Sequence, residues 1–199
     1  MQSRVPKQFL MVEDQPILVK TLQKFSDAIK GIEIIVALPQ NQLDRWNGLR
    51  EEFNFLTNIK ATVGGETRTA SVMAGLSLIE GDGLVAIHDA VRPYVTAETI
   101  VNSFESAEKH GSGVAAVPLK DSIRELNPGK TSRALNRNNY VLVQTPQTFD
   151  IEKLKKAYAA IGTSSFTDDA SVFENAGEEV HLVNGSYANI KITTPEDLR

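Results

Sequence analysis

The sequence has no cysteine among its 199 residues, which excludes disulfide bonds, thiolate zinc sites and cysteine nucleophiles. It has no apolar run long enough to span a membrane and no signal-peptide pattern, which favours a cytoplasmic protein without a membrane partner. Lys and Arg number 21 against 25 Asp and Glu, a formal charge of −4. This lack of a basic excess argues against a nucleic-acid partner. A cytoplasmic enzyme or binding protein is the expectation that remains.

Several catalytic patterns are also missing. The three histidines, His88, His110 and His181, share no metal-ligand spacing. Neither a Ser-His-Asp pattern nor a nucleophile elbow is present, so covalent catalysis is unsupported. The glycine pair Gly64-Gly65 fits neither a Walker loop nor the dinucleotide pattern Gly-x-Gly-x-x-Gly. A hydride-transfer enzyme is therefore disfavoured.

What the sequence does contain is an alternation of strand and helix patterns. Apolar runs at 32–38 and 84–87 indicate buried strands, and apolar stripes at helical spacing over 69–80 and 96–110 indicate helices. Such alternation predicts an α/β fold with a mostly parallel sheet and helices on both faces. The hydrophobic content of 41% and the length suit a single domain over residues 1–199.

Residues 118–143 interrupt this alternation. Polar and apolar residues alternate over 120–126, a turn pattern follows at 127–130, and 140–143 forms a second extended run. These features predict a projecting β-hairpin arm. An arm of this length has too little core to be stable alone. We expect it to pack on another subunit in a homodimer, the alternative being a hairpin folded back on its own domain.

A second informative segment follows the apolar run 84–87. His88, Asp89 and Arg92 stand at the carboxyl end of that predicted strand, where open α/β sheets bind their ligands. Charged and titratable side chains at this place are better suited to a role in catalysis or binding than to packing in the core. A structural Asp–Arg pair that closes a turn is the alternative.

Other segments could also contact a ligand. The glycine pair lets the backbone approach a ligand before a helix start, and Ser71 would add a hydroxyl there. Lys7 follows a proline and could direct its ammonium at a phosphate. Thr145 and Gln147 lie in a predicted polar loop, and Thr167 is the expected N-cap of a helix over 168–176. Each of these segments also has a purely structural interpretation. The glycine pair could form only a turn, Lys7 could be a solvated surface lysine, 144–149 could be only a polar loop, and Thr167 could be only a cap.

Six segments together resemble one family, in order and in spacing. They are residues 6–10, 64–72, 88–93, 144–149, 166–171 and 189–193, and the family is 2-C-methyl-D-erythritol 4-phosphate cytidylyltransferase. The resemblance implies a Rossmann-like nucleotidyltransferase fold, a homodimer joined by exchanged β-arms, Mg²⁺ as cofactor and CTP as co-substrate. The implied reaction is attack by the sugar-alcohol phosphate on the α-phosphorus of CTP, which releases pyrophosphate.

The same resemblance implies roles for single residues. Lys7 would stabilise the transition state at the α-phosphate, and Lys191 would position the attacking phosphate. Asp89 would lie where nucleotide, metal and substrate meet, which makes it the candidate metal ligand, with Arg92 near the substrate phosphate. The other implied contacts are Gly65 and Ser71 to CTP, Arg137 and Thr145 to the substrate of the neighbouring subunit, Ser122 in the arm where the family often has Thr, and Thr167 beside the acceptor.

The family pattern also extends beyond this sequence. It opens with a strand and a Gly-rich loop ending in Arg before the position of Met1, and a further helix is announced at 194–199. We expect these segments to be missing from the sequence, and a chain that began at Met1 would bind CTP weakly. Two alternatives stay open: a ribitol-5-phosphate cytidylyltransferase with the same fold, and a non-catalytic nucleotide-binding module. The segments 167–171 and 189–193 together favour the methylerythritol phosphate.

Overall fold

The computed structural model describes residues 5–129, 131–162 and 166–198. Lys130, which belongs to the predicted turn of the arm, lies outside these residues. The strands are β1 (Met11–Val12), β2 (Gln15–Pro16), β3 (Ile35–Leu38), β4 (Lys60–Val63), β5 (Leu84–Ile87), β6 (Ser112–Pro118), β7 (Arg124–Leu126), β8 (Ser132–Ala134), β9 (Val141–Asp150) and β10 (Leu182–Asn184). The helices are α1 (Ile17–Ala28), α2 (Leu43–Glu52), α3 (Arg68–Leu76), α4 (Ala97–His110), α5 (Ile151–Ala160) and α6 (Asp169–Asn175). Within this described part of the chain, no helix is long and apolar enough to cross a membrane.

The central sheet has four strands in the order β10-β6-β9-β5. β10 pairs parallel to β6, whereas β9 runs antiparallel to both of its neighbours. β3 and β4 form a separate parallel pair. The α/β class is confirmed, and the sheet is mixed: β10, β6 and β5 run in one direction, and β9, which contains the predicted loop of Thr145 and Gln147, runs against them.

Pro146 explains why the sequence pointed to a loop. Proline removes a ladder donor and is uncommon inside a central strand. The register between β6 and β9 jumps from Val114 opposite Gln147 to Ala116 opposite Val143. Pro146 lies within this jump, so its missing N–H falls where the ladder is already interrupted. The Thr145-Pro146 peptide bond is cis.

Helices cover both faces of this sheet, as predicted. Thr148 of β9 faces α4, where its hydroxyl lies 2.8 Å from the Ser103 hydroxyl. The next residue, Phe149, faces the other side and packs on Phe173 of α6 with ring centroids 4.7 Å apart. Alternate residues of a strand point to opposite faces, so β9 contributes to two cores at once.

An exposed hairpin lies within the predicted arm. β7 pairs with β8, and Leu126 at the end of β7 is 82% exposed. The second strand of the hairpin is not the predicted run 140–143. Val141 to Val143 instead begin β9 and pair with β6. The tertiary pairing with β6 thus determines where these apolar residues lie.

Local signals determine both ends of α4, whereas the end of α3 and the burial of β5 differ from the prediction. Thr96 caps α4 by accepting a hydrogen bond from the Thr99 N–H, and Gly111 ends the helix with φ at +85°. α3 ends at Leu76 rather than near residue 80. β5, predicted as a buried strand, is only half-buried, because within the described residues it pairs with β9 alone.

Candidate active site

A cavity of about 260 Å³ opens just beyond the carboxyl end of β5. This is the place where α/β sheets bind ligands. It brings together half of the residues that the sequence singled out as site residues, namely Asp89, Arg92, Thr145, Thr167 and Lys191. The remaining lining residues are Arg68, Val143, Gln144, Gln147 and Asp168.

Asp89 lies at the centre of the charges in this cavity. Its Oδ2 is 3.2 Å from Lys191 Nζ and 3.1 Å from Arg92 Nε. Arg68 Nε stands 3.9 Å from Oδ1. Burial raises the pKa of Asp89, but the attraction of Lys191 and Arg92 outweighs burial and holds this pKa below its usual value. The site therefore contains an ionised carboxylate inside a cluster of cations at neutral pH.

The turn that carries Asp89 is held from both sides. The Asp89 N–H donates to Thr145 Oγ1 at 3.1 Å, and the Arg92 N–H donates to the Asp89 carbonyl at 3.1 Å. Thr145 therefore belongs to the cavity of its own subunit. The expectation that Thr145 reaches the substrate of the neighbouring subunit stays a prediction.

His88 contributes to the turn and does not line the cavity. Its Nε2 lies 3.3 Å from the Arg92 carbonyl, and its ring meets the Phe25 ring edge-on at 4.8 Å. Burial lowers the pKa of His88 to about 4. The ring is therefore neutral at pH 7, and we assign the Nε2 proton to the bond with the Arg92 carbonyl.

The start of α6 shows which residue caps a helix and which faces the site. The predicted cap was Thr167, but Asp168 is the N-cap, with its Oδ1 accepting from the Ser171 N–H at 3.0 Å. Gln147 reinforces this start: its Nε2 donates to Asp168 Oδ2, and its Oε1 accepts from the N–H groups of the next two residues. Because Asp168 performs the capping, the exposed Thr167 is left to line the cavity.

The segment that carries Lys191 is supported by amides. Asn189 Nδ2 donates to the Thr145 carbonyl at 2.8 Å, and Arg92 Nη1 donates to the Asn189 carbonyl at 2.7 Å. Gln144 donates to the Ser186 carbonyl at 2.8 Å. The sequence analysis included Asn189 only as part of a motif. Its complete burial between two cavity residues is what identifies it as part of the site's support.

Arg68 is a charged residue of the cavity to which the sequence assigned no role. Its Nη2 donates to Asp169 Oδ2 at 2.5 Å, across 101 positions of sequence. One signal was available, because Arg68 is the first residue of α3 and a cation is disfavoured at a helix start. The carboxylates of Asp169 and Asp89 compensate for this unfavourable position of the cation.

Five predicted site residues lie outside the cavity lining: Lys7, Gly65, Ser71, Ser122 and Arg137. The glycine loop is tightly packed, since a Cβ on Gly65 would meet the Ala70 side chain at 2.3 Å and one on Gly64 would meet Ser71 Oγ at 2.8 Å. Ser122 and Arg137 are exposed, and Arg137 donates to the Lys120 carbonyl. The roles predicted for these five residues stay predictions.

The carboxylates of the cavity differ in their fitness for the divalent cation that the resemblance implies. Both oxygens of Asp168 are engaged, by Ser171 and by Gln147. Asp89 Oδ1 has its nearest cation at 3.9 Å, beyond hydrogen-bond distance. No cluster of three or more metal-ligating side chains occurs among the described residues. Asp89 therefore fits a Mg²⁺ ion that takes its other ligands from substrate phosphates and water.

Known proteins resemble this chain in sequence and in fold. The sequence model of the 2-C-methyl-D-erythritol 4-phosphate cytidylyltransferase family matches residues 1–199. The protein of that name from Bacteroides thetaiotaomicron is 46% identical over 199 residues, covering 100% of this chain and 90% of the relative. The crystal structure of the Thermus thermophilus protein of that name has 32% identity and a TM-score of 0.83, covering 97% of this chain and 90% of that one. The crystal structure of 4-diphosphocytidyl-2C-methyl-D-erythritol synthase from Anaerococcus prevotii has 29% identity and a TM-score of 0.87, covering 96% of this chain and 89% of that one.

Proposed function

The chain belongs to the 2-C-methyl-D-erythritol 4-phosphate cytidylyltransferase family and is an enzyme of isoprenoid precursor synthesis, and we propose that its reaction takes place in the cavity around Asp89. The enzyme transfers a cytidylyl group from CTP to 2-C-methyl-D-erythritol 4-phosphate. The acceptor's phosphate oxygen forms a bond to the α-phosphorus of CTP, and the bond to the β-phosphate oxygen breaks. Pyrophosphate leaves with the electron pair of that bond.

One observation carries the proposal: three cationic side chains surround the ionised Asp89 at 3.1 to 3.9 Å. The attacking phosphate is already anionic near neutral pH, since its second pKa is about 6. The reaction therefore needs no general base. Its difficulty is to bring anions together and to stabilise charge at phosphorus, and fixed cations in a partly buried cavity serve both needs.

The acceptor's phosphate is assigned to the Lys191 and Arg92 side of the cavity. Both cations already point at one carboxylate oxygen, so an anionic group beside Asp89 would be held by groups that need little reorganisation. Thr167, at the start of α6, would supply a hydroxyl for the acceptor, and Thr145, which also lines the cavity, would reach the substrate of the neighbouring subunit.

The nucleotide is assigned to the neighbouring glycine loop. Gly65 and Ser71 would line the CTP site, and Lys7 would stabilise charge at the α-phosphate. Mg²⁺, held by Asp89 and substrate phosphates, would neutralise the phosphate charge when bound. We assign the reaction to the cytoplasm, where its co-substrate CTP is available.

The hairpin arm is assigned to dimer formation. Residues 118–143 would form the dimerisation arm of a single domain, carrying Ser122 and Arg137 towards the substrate of the neighbouring subunit. The half-exposed apolar stretch Val141 to Val143 and the 82% exposed Leu126 favour this arrangement, because such surfaces are usually covered by a partner.

The first experiment compares two acceptors. Pyrophosphate release from CTP and Mg²⁺ is measured for the full-length protein with methylerythritol 4-phosphate and with ribitol 5-phosphate. We expect release with the first and little with the second. The variant Asp89→Asn, with its fold checked by circular dichroism, should lose release; normal release from this variant would remove the cavity from the mechanism.

A second experiment tests the sharing of sites in the dimer. Lys7→Ala and Arg137→Ala should each cut turnover strongly while leaving the fold intact. Mixed and refolded together, the two inactive variants should recover part of the activity, because each heterodimer contains one site with both residues. No recovery from demonstrated heterodimers would contradict the shared site.

A further inference from the structure

Arg68 occupies a position that helix stability does not explain. It is the first residue of α3, where the helix dipole disfavours a cation. Its guanidinium nevertheless lies between two carboxylates: Nη2 donates to Asp169 Oδ2 at 2.5 Å, and Nε is 3.9 Å from Asp89 Oδ1. The side chain is 37% exposed and lines the cavity. It therefore connects a buried group to the open site.

Asp169 is a rigid anchor for this arginine. Its side chain is completely buried, and its Oδ1 accepts a hydrogen bond from the Tyr158 hydroxyl. Its backbone N–H donates to Gln147 Oε1 at 3.0 Å. Each oxygen of this buried carboxylate has one partner, Tyr158 on Oδ1 and Arg68 on Oδ2, so the loss of Arg68 would leave an unpaired charge inside the protein.

Through this anchor Arg68 joins three segments that are distant in sequence. Its own helix begins directly after the glycine loop, and the Thr67 side chain caps that helix through the Ala70 N–H. Asp169 begins α6, two residues after Thr167. Asp89 follows β5. A displacement of the glycine loop would therefore be passed to both carboxylates by one side chain.

We propose that Arg68 is a positioning residue that couples the nucleotide site to the acceptor site. The inference rests on the proposed function in one respect, which is the assignment of CTP to the loop of Gly65 and Ser71. A nucleotide bound there fixes the start of α3, and with it the guanidinium between Asp169 and Asp89. The acceptor then meets a cavity that is already ordered, so it binds more tightly to the nucleotide complex than to the free enzyme.

The test measures this coupling without turnover. Binding of methylerythritol 4-phosphate to the full-length protein is followed by calorimetry, with and without a cytidine triphosphate analogue that has a methylene group between the α- and β-phosphorus and Mg²⁺. In the wild type the analogue should tighten acceptor binding at least about fivefold. In Arg68→Gln the ratio should fall to about one, and Arg68→Lys should keep part of it.

Asp169→Asn provides a second route to the same result. Alone it should also lower the coupling, and combined with Arg68→Gln it should add nothing further, since both changes break one contact. Thermal unfolding establishes which variants fold; if Asp169→Asn does not, the two Arg68 variants carry the test. Wild-type coupling in folded Arg68→Gln would overturn the inference, and so would a wild type without coupling.

Two controls separate this inference from the proposed function. Ser71→Ala should weaken binding of the analogue alone; unchanged analogue binding would contradict the nucleotide assignment, whatever the Arg68 variants do. Lys60→Gln removes an ion pair with Glu33 on the surface, and it should leave both binding constants and their ratio unchanged.

Discussion

The two halves of β9 differ in a way that reverses the usual preference of side chains. Val141, Leu142 and Val143 are apolar, yet they are 41%, 53% and 44% exposed. Gln147 and Thr148 are polar, yet they are 1% and 0% exposed. Both halves belong to one continuous strand that pairs with β6. The difference therefore comes from what lies against each half.

The polar side chains of the buried half can lie inside the protein because they make hydrogen bonds there. Gln147 accepts hydrogen bonds from two N–H groups at the start of α6, and Thr145 accepts from the Asp89 N–H. Buried polar groups are tolerated when they are hydrogen-bonded in this way. The exposed half makes no comparable contact with the described residues, and its apolar surface suits a partner. The buried half thus supports the cavity, and the exposed half suits an interface, although its last residue, Val143, also lines the cavity.

The largest expected effect comes from the charges that the buried half supports. Lys191→Ala removes the cation that lies 3.2 Å from Asp89 Oδ2. We expect kcat/KM to fall about 10²- to 10³-fold, because a cation preorganised for the developing charge is lost. Steady-state pyrophosphate release measures this. The control is Lys156→Ala, a surface residue of α5, and a comparable fall there would contradict the assignment.

The next effect tests the burial of polar groups directly. Gln147→Leu keeps the approximate volume but leaves the N–H groups of Asp169 and Ala170 without their acceptor. Each buried unpaired group costs about 1–3 kcal/mol, so with two such groups we expect the free energy of unfolding to fall by at least about 2 kcal/mol. Urea denaturation measures it, with the exposed Gln40→Leu as control. A loss as small as that of the control would show that the network contributes little.

The pH dependence of stability extends the comparison to His88. This residue directly follows β5, the strand that pairs with the buried half of β9. Burial lowers the pKa of His88 from 6.5 to about 4. Between these values the unfolded chain binds a proton at His88 that the folded chain does not, so stability falls as the pH is lowered through this window. The expected loss is up to about 3 kcal/mol.

The measurement is urea unfolding from about pH 7 to about pH 4.5, a range that covers most of this window. It is made on the wild type and on His88→Gln. Glutamine can still donate to the Arg92 carbonyl but does not titrate. The variant should therefore lack this part of the pH dependence. Parallel stability curves for the two proteins would show that His88 does not contribute it.

The smallest effect on subunit stability is expected in the exposed half. Leu142→Ser should change the free energy of unfolding of the isolated subunit by no more than about 0.5 kcal/mol, as is usual for surface sites. It should nevertheless weaken self-association, which sedimentation velocity over a range of protein concentrations measures. A large loss of subunit stability with unchanged association would mean that this half packs within its own subunit.

Helix positions could be predicted because their signals are local. Thr96 and Gly111 mark both ends of α4 within their own neighbourhoods, and Pro16 stands directly before α1. The antiparallel course of β9 could not be predicted, because the proline at 146 argues against a strand and only the register jump opposite β6 accommodates it. The second strand of the arm was misassigned for a related reason, since Val141 to Val143 could pair with either of two partners.

The candidate site was predictable in part. Asp89 and Arg92 follow an apolar strand, so their position at a sheet edge could be inferred from sequence alone. Arg68 and Asp169 are 101 positions apart, and nothing local announces their contact. Thr167 was the predicted cap of α6, and the capping by Asp168 depends on Gln147, which arrives from β9.

The sequence by itself determined the α/β class, the family and the approximate positions of the helices, because these depend on periodicity and motif order along the chain. Only the tertiary structure decided that β9 runs antiparallel through the centre, that Asp168 caps α6 and leaves Thr167 to the cavity, and that Arg68 joins Asp169 and Asp89. The physical reason is that a hydrogen bond or ion pair between distant residues depends on which of several possible partners the packed core brings within about 3 Å.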